Sequence, residues 1–331
     1  MRRGAEWAER HQVLLYLTAL AVGAAVGLAA PAVAGPAGSA ITPVLGLLLY
    51  ATFLGVPFTQ LGAALRDRRF LPTVLAVNFL AVPAAVWGVS RIVAHDDALL
   101  VGVLFVLLTP CVDYVIVFTG IAGGSAGRLL AAAPLLMLAQ MVLLPVYLRL
   151  FLGAGIVDAV DAGPFVEAFL LLIVVPLAAA GVTQAAARRS SAVAAVQAAL
   201  SAAMVPLMML TLAVVVASQI DGVRERLGAL LLAVPVYLLF AAVMVPIGLA
   251  AARVARLDVP AARAVVFSGV TRNSLVVLPL VLALPAAFGL APLVVVTQTL
   301  VELVVMVVLV RLVPCLLPAR ADPVDPVGGG A

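Results

Sequence analysis

The feature that most constrains this chain is a succession of apolar blocks, each about 20 residues or longer, separated by only short polar stretches. A block of that length crosses the hydrocarbon core of a bilayer when it is helical. Backbone groups in lipid must satisfy one another, so helices are the form such blocks take. Hydrophobic residues make up 66% of the 331 residues and charged residues 10%, which leaves too little polar sequence for a soluble domain. The sequence therefore reads as an all-α integral membrane protein, a single membrane domain over residues 1–331.

Ten transmembrane spans are expected, at about 12–31, 41–64, 71–93, 98–121, 128–152, 164–186, 193–218, 228–252, 262–286 and 290–314. Connectors such as Gly35-Pro36-Ala37-Gly38 and Gly153-Ala154-Gly155 carry turn chemistry. The Pro/Gly-rich tail, 318–331, is expected to be disordered and cytoplasmic. Residues 1–34 begin with Arg2-Arg3 and end with Ala32-Val33-Ala34, as a secretory signal does. The apolar run between them is longer than a signal core, so it reads as the first span.

All nineteen basic residues are Arg. With the N-terminus inside, fourteen fall on the cytoplasmic side, while Arg91, Arg149, Arg224 and Arg226 fall outside and Arg272 lies within a span. This asymmetry places both termini in the cytoplasm, in a plasma-membrane protein. No basic stripe with interleaved aromatics appears, so nucleic acid is not a partner. Cys111 and Cys315 form no disulfide framework or metal spacing, and His11 and His95 sit at block edges. Residues Gly123 to Gly127 spell a nucleophile elbow by letters, but without the strand, helix and His that the elbow requires. No enzyme, cofactor or metal centre is expected.

The ten spans divide into halves that match weakly. Thr52 and Gln60 recur as Thr211 and Gln219 at an offset of 159; Thr109, Gln140 and Arg149 recur as Thr271, Glu302 and Arg311 at 162. Five spans per half invert the second half, so two inverted five-helix repeats are expected, over about 12–152 and 164–314. Inverted repeats with interrupted spans at equivalent positions point to a secondary transporter and to its binding site. Span 4 carries Thr109-Pro110-Cys111-Val112-Asp113-Tyr114, and span 9 carries Ser268-Gly269-Val270-Thr271-Arg272-Asn273-Ser274. Proline removes a helix hydrogen bond, and Asp, Asn and Ser favour caps and turns. Spans 4 and 9 are expected to be broken and to cross near the midplane.

Asp113 and Arg272 are opposite charges at membrane depth, where each needs a partner or water. They are expected to pair, as a switch or as a structural clamp. Cys111 is either a small buried apolar residue or a soft ligand for a metalloid. Glu302 lies one turn from Gln298 on the same helix face and can carry a proton. Asn78 and Gln140 read as interhelical hydrogen bonds, and Gly23 with Gly27 as a helix-packing pair.

Taken together, the ten spans, the Thr109-Pro110-Cys111 break, the polar break in span 9 and Glu302 in span 10 resemble the bile-acid/sodium symporter superfamily. Within it the chain looks like the arsenical-resistance (arsenite efflux) permeases. The resemblance runs from about residue 12 to 314 and is most specific over Thr109–Gly124, then Val295–Arg311. It implies a panel domain and a core domain, with spans 4 and 9 crossing beside the substrate path. It also implies that Cys111 is the thiol linked with trivalent arsenic and that Glu302 is the span-10 carboxylate. The chain departs from those permeases at Thr271-Arg272-Asn273-Ser274, where they carry an Asn-rich segment followed by Glu, and at Asp113. A fixed guanidinium near a cation site repels sodium or stands in for it, so sodium-independent transport is expected, with Asp113 or Glu302 carrying protons. The expected activity is export of a small trivalent metalloid by alternating access. Cys111, Thr109, Asn273 and Ser274 would line the substrate, with Asp113, Arg272, Glu302 and Gln298 handling coupling and gating. The alternatives are transport of a small organic anion held by Arg272, and a receptor or accessory subunit that transports nothing.

Overall fold

A computed structural model describes residues 11–55, 66–112, 114–158, 166–167 and 169–318. Every regular element among them is helical. Apart from two short 3-10 turns, Pro31–Val33 and Ala286–Phe288, these are in chain order α1 (Gln12–Ala29), α2 (Ala34–Gly55), α3 (Phe70–Val93), α4 (Asp97–Leu107), α5 (Tyr114–Ile121) and α6 (Ala126–Asp158). They continue with α7 (Leu170–Ala187), α8 (Ser191–Ala202), α9 (Met204–Val254), α10 (Val259–Val270), α11 (Ser274–Leu282) and α12 (Ala291–Leu316).

Six of the described helices are long and apolar enough to cross a bilayer, or seven if Ser191–Ala202 and Met204–Ser218, bent by 48°, form one span. The ten spans read from the sequence are thus not all present as helices of full length. Two of the shorter apolar helices, α4 and α10, end early because the chain breaks after them and resumes as α5 and α11. Leu80, Val142, Val146 and Leu150 leave apolar side chains exposed, as helices facing lipid do. The protein is a multi-pass membrane protein.

Two expected connectors differ. Gly35-Pro36-Ala37-Gly38 is not a turn: it forms the first turns of α2, and the chain bends at Ala30, which is extended (φ −139°, ψ 76°) ahead of Pro31. Proline disfavours helix in the residue before it, whereas Pro36 sits near a helix start, where missing N–H groups cost nothing. Residues 219–227 are helical within α9, because that segment contains no proline to stop it. Gly153 does break α6, with φ 75° and ψ 170°, a conformation glycine adopts freely. Gln60, used in the repeat match, and the tail beyond Pro318 lie outside the described residues.

Proline also shapes α3. Pro83 has no N–H for the carbonyl of Phe79, the helix widens into a π turn over Val77–Ala81, and the Tyr147 hydroxyl on α6 donates to Phe79 O at 2.5 Å. That turn carries Asn78 towards the centre of the protein, where it is fully buried.

Small residues set the helix seams. A Cβ on Gly23 of α1 would lie 2.5 Å from the backbone oxygen of Ala213, and one on Gly27 would lie 2.7 Å from that of Ala217, both on α9. Gly102 on α4 would place a Cβ 2.8 Å from Cβ of Val294 on α12. Van der Waals packing, which small residues favour by letting backbones approach closely, is one of the forces that associate helices in lipid. Overpacking such a seam costs about 1–3 kcal/mol. Gly27→Leu is therefore expected to lower the thermal midpoint in detergent and the yield of monodisperse protein. Gly35→Leu, at a glycine with nothing within 4 Å, should change neither. Equal midpoints for the two variants would show that α1 and α9 are not in contact along this face.

The junction of two broken helices as candidate functional site

The α4–α5 and α10–α11 interruptions meet. Pro110 and Arg272 form an isolated antiparallel bridge: Cys111 N donates to Thr271 O at 3.3 Å, and Asn273 N donates to Thr109 O at 2.8 Å. The two arms correspond residue for residue at the offset of 162, Thr109 with Thr271 and Cys111 with Asn273. Each Thr also turns its hydroxyl back onto the last turn of its own helix. Thr109 Oγ1 donates to Phe105 O at 2.9 Å and Thr271 Oγ1 to Phe267 O at 2.7 Å. The bridge itself satisfies four backbone groups freed by the breaks, Cys111 N, Thr271 O, Asn273 N and Thr109 O, with no water required.

The helix that leaves the second break is capped too. Asn273 Oδ1 accepts from Val276 N at 3.2 Å and starts α11. Ser274 Oγ lies 2.6 Å from Thr299 Oγ1 on α12. Cys111 is fully buried in the bridge.

Arg272 has no exposed surface. Its Nη2 donates to Asn78 Oδ1 at 2.8 Å, Ser268 O at 2.5 Å and Gly269 O at 3.0 Å, and its Nη1 to Leu107 O at 3.5 Å. Ser268 and Gly269 are in the last turn of α10, and Leu107 is the last residue of α4. The guanidinium thus sits at two helix C-termini, where carbonyls lack intrahelical partners and the dipoles favour a cation. Phe240 lies 5.6 Å from the guanidinium carbon. Nε has no acceptor among the described residues. Asn78 is itself fixed, its Nδ2 donating to Val74 O and to Ser268 Oγ, each at 2.9 Å.

Glu302 on α12 is buried on another side of the same residue. Its Oε2 accepts from the backbone N of Arg272 at 2.8 Å, and its two oxygens also accept from the Tyr114 hydroxyl and the Gln298 amide. The Tyr114 hydroxyl lies 3.2 Å from Arg272 O as well. Arg272 thus meets Glu302 through its backbone N–H, and the guanidinium reaches the helix ends instead. A water-sized cavity beside Glu302 is lined by Gln298, Tyr237, Phe240 and Leu107.

Thr109, Cys111, Arg272, Asn273, Ser274, Gln298 and Glu302, all singled out from the sequence, converge here. Asp113, the expected partner of Arg272, lies outside the described residues. Tyr114 was not assigned a role from the sequence, although it directly follows the break. Asn78, read as an interhelical hydrogen bond, is one, and the residues it holds are Ser268 and Arg272. Gln140 is buried on α6 and lines a separate small cavity with Phe169, Ile173, Val276 and Leu280. Cys315 is exposed near the end of α12 and bonds to Arg311 O, away from this site. Arg263, counted from the sequence among cytoplasmic loop charges, is mostly buried; it donates to Ala122 O at 2.7 Å and Leu317 O at 2.7 Å, tying the ends of α5 and α12 to α10.

No curated protein matches the chain. The sodium bile acid symporter family matches over residues 42–226, which takes in the Thr109-Pro110-Cys111 break and stops short of Arg272 and Glu302. With more than half its length matched, the chain belongs to the sodium bile acid symporter family, a family of sodium-coupled membrane transporters and not of enzymes.

Proposed function

We propose that this protein is a ten-span transporter, built as two inverted five-helix repeats, that exports arsenite or a related trivalent metalloid across the plasma membrane in exchange for protons. The observation that carries the reading is the Pro110–Arg272 bridge, which holds the Cys111 backbone against the span-9 break, with Tyr114 and Glu302 bonded to Arg272 on the same junction. An antiparallel bridge relates its two strands by a local twofold, and here the related residues are those that the repeat offset pairs. That supports an inverted repeat whose axis passes through the junction.

Sulfur is the ligand a soft trivalent metalloid selects, and Cys111 is the thiol at the junction. One thiol can displace one hydroxyl of As(OH)3 as water, and the reverse step frees the substrate, so the contact is transient. Thr109, Asn273 and Ser274 supply short polar groups beside it. Glu302, bonded by Tyr114, Gln298 and the Arg272 N–H, is the group placed to take up and release a proton as the junction opens. Arg272, with Asp113, would govern the charge of the crossing. The organic-anion alternative needs Arg272 to reach a substrate carboxylate. Nη2 has two hydrogens and three protein acceptors, and the side chain is fully enclosed, which weighs against that role.

Everted membrane vesicles containing the protein are expected to accumulate arsenite when a proton gradient is imposed. Cys111→Ser should reduce uptake to the level of empty vesicles while leaving the thermal midpoint of the purified protein nearly unchanged. Absence of uptake by the unaltered protein would overturn the metalloid reading.

Glu302→Gln keeps the shape of the side chain and removes its charge. It is expected to leave arsenite exchange at equal pH measurable while abolishing the acceleration produced by a pH gradient. A variant that still responds fully to the gradient would assign proton coupling to another group.

A further inference from the structure

The cation at this junction belongs to the chain itself. Four oxygens from three segments face the guanidinium of Arg272: Asn78 Oδ1 on the π turn of α3, Ser268 O and Gly269 O at the end of α10, and Leu107 O at the end of α4. Three are main-chain carbonyls in the last turns of two helices, whose dipoles turn their negative ends to the same point. The fourth is an amide oxygen, held in place because its own amide nitrogen is bonded to Val74 O and Ser268 Oγ. Carbonyl and amide oxygens gathered at the ends of interrupted membrane helices form the kind of set that holds a hard monovalent cation in a transporter. Here that set is closed around a side chain with no exposed surface.

We infer that Arg272 is a tethered cation filling a monovalent-cation site, so that the junction does not take up sodium, and that removing the guanidinium uncovers a latent site for a small free cation. A second positive charge beside a buried guanidinium would be repelled at low dielectric and would find its ligands already engaged. The other charge among the described residues of the junction fits this assignment. Glu302 accepts from the Arg272 backbone N–H, so its carboxylate neutralises the region without drawing the guanidinium out of the oxygen set. The consequence for coupling rests on the transport reading above, because it separates this chain from the sodium dependence that its family name implies. The site itself does not depend on which substrate is carried.

The test uses purified full-length protein in detergent and reads thermal unfolding, with no substrate present. Unaltered protein is expected to unfold at the same midpoint in sodium chloride and in choline chloride of equal ionic strength. Arg272→Ala should unfold at a lower midpoint in choline chloride and recover several degrees in sodium chloride or on addition of guanidinium at sub-denaturing concentration. Arg272→Lys, which keeps a tethered cation, should remain indifferent to sodium. Stabilisation of the unaltered protein by sodium would overturn the inference, and so would an Arg272→Ala protein that gains nothing from either cation. If Arg272→Ala is not recovered folded, Arg272→Gln carries the same comparison. Arsenite uptake in vesicles is independent of this readout, so failure of the substrate assignment and failure of the cation assignment are seen separately.

Discussion

The structure depends on how two interrupted helices satisfy their backbone away from water. A break at membrane depth exposes carbonyls at one helix end and N–H groups at the next, and each unmet group costs several kcal/mol in hydrocarbon. Neither break could persist alone. Brought together, they satisfy one another: Cys111 N with Thr271 O, Asn273 N with Thr109 O, and each Thr hydroxyl with the preceding turn. The surrounding architecture keeps this contact in place. Gly102 lets α4 approach α12, and Gly248, where a Cβ would lie 3.0 Å from Cα of Val266, lets α9 approach α10.

Charge follows from the same geometry. Two helix C-termini face one point and are met by a guanidinium, while a freed N–H on the other side is met by a carboxylate. Arg suits the first task better than Lys would, because its planar fork reaches acceptors on three segments at once. Burying both charges is expensive, and the expense is offset because most polar atoms around them have a partner, Arg272 Nε and Gln298 Oε1 being the exceptions among the described residues. Such an arrangement is a poor way to gain stability and a good way to build an element with two states, since moving either segment must reassign several bonds together.

Side-chain bonds extend the junction outward. Asn78 connects it to α3, Tyr114 and Glu302 connect it to α5 and α12, and Ser274 with Thr299 connects α11 to α12. Displacement of α12 would therefore be felt at Arg272 through Glu302, and displacement of α3 through Asn78. Under the proposed transport reading, alternating access would draw on linked movement of this kind.

The class of protein, its helical content and the two interruptions were legible in the sequence, because each depends on local chemistry: apolar length, proline, and polar residues at membrane depth. Thr109, Cys111, Arg272 and Glu302 stood out for the same reason, since a polar group in a span is costly wherever it points. Membership of the sodium bile acid symporter family was also legible, in the break around Pro110. What the sequence left undecided was direction. It could not show that the Arg272 guanidinium turns to helix ends and Asn78 while its backbone N–H takes Glu302, that Tyr114 bridges the two, or that Arg263 is buried as a clamp on α5 and α12. Nor could it place the bend at Ala30 and the helix through 219–227, where proline position and helix continuity outweighed turn-like composition. Those outcomes depend on which groups the fold brings within hydrogen-bonding reach. A single chain of residues lists the donors and acceptors, and only packing decides which of them meet.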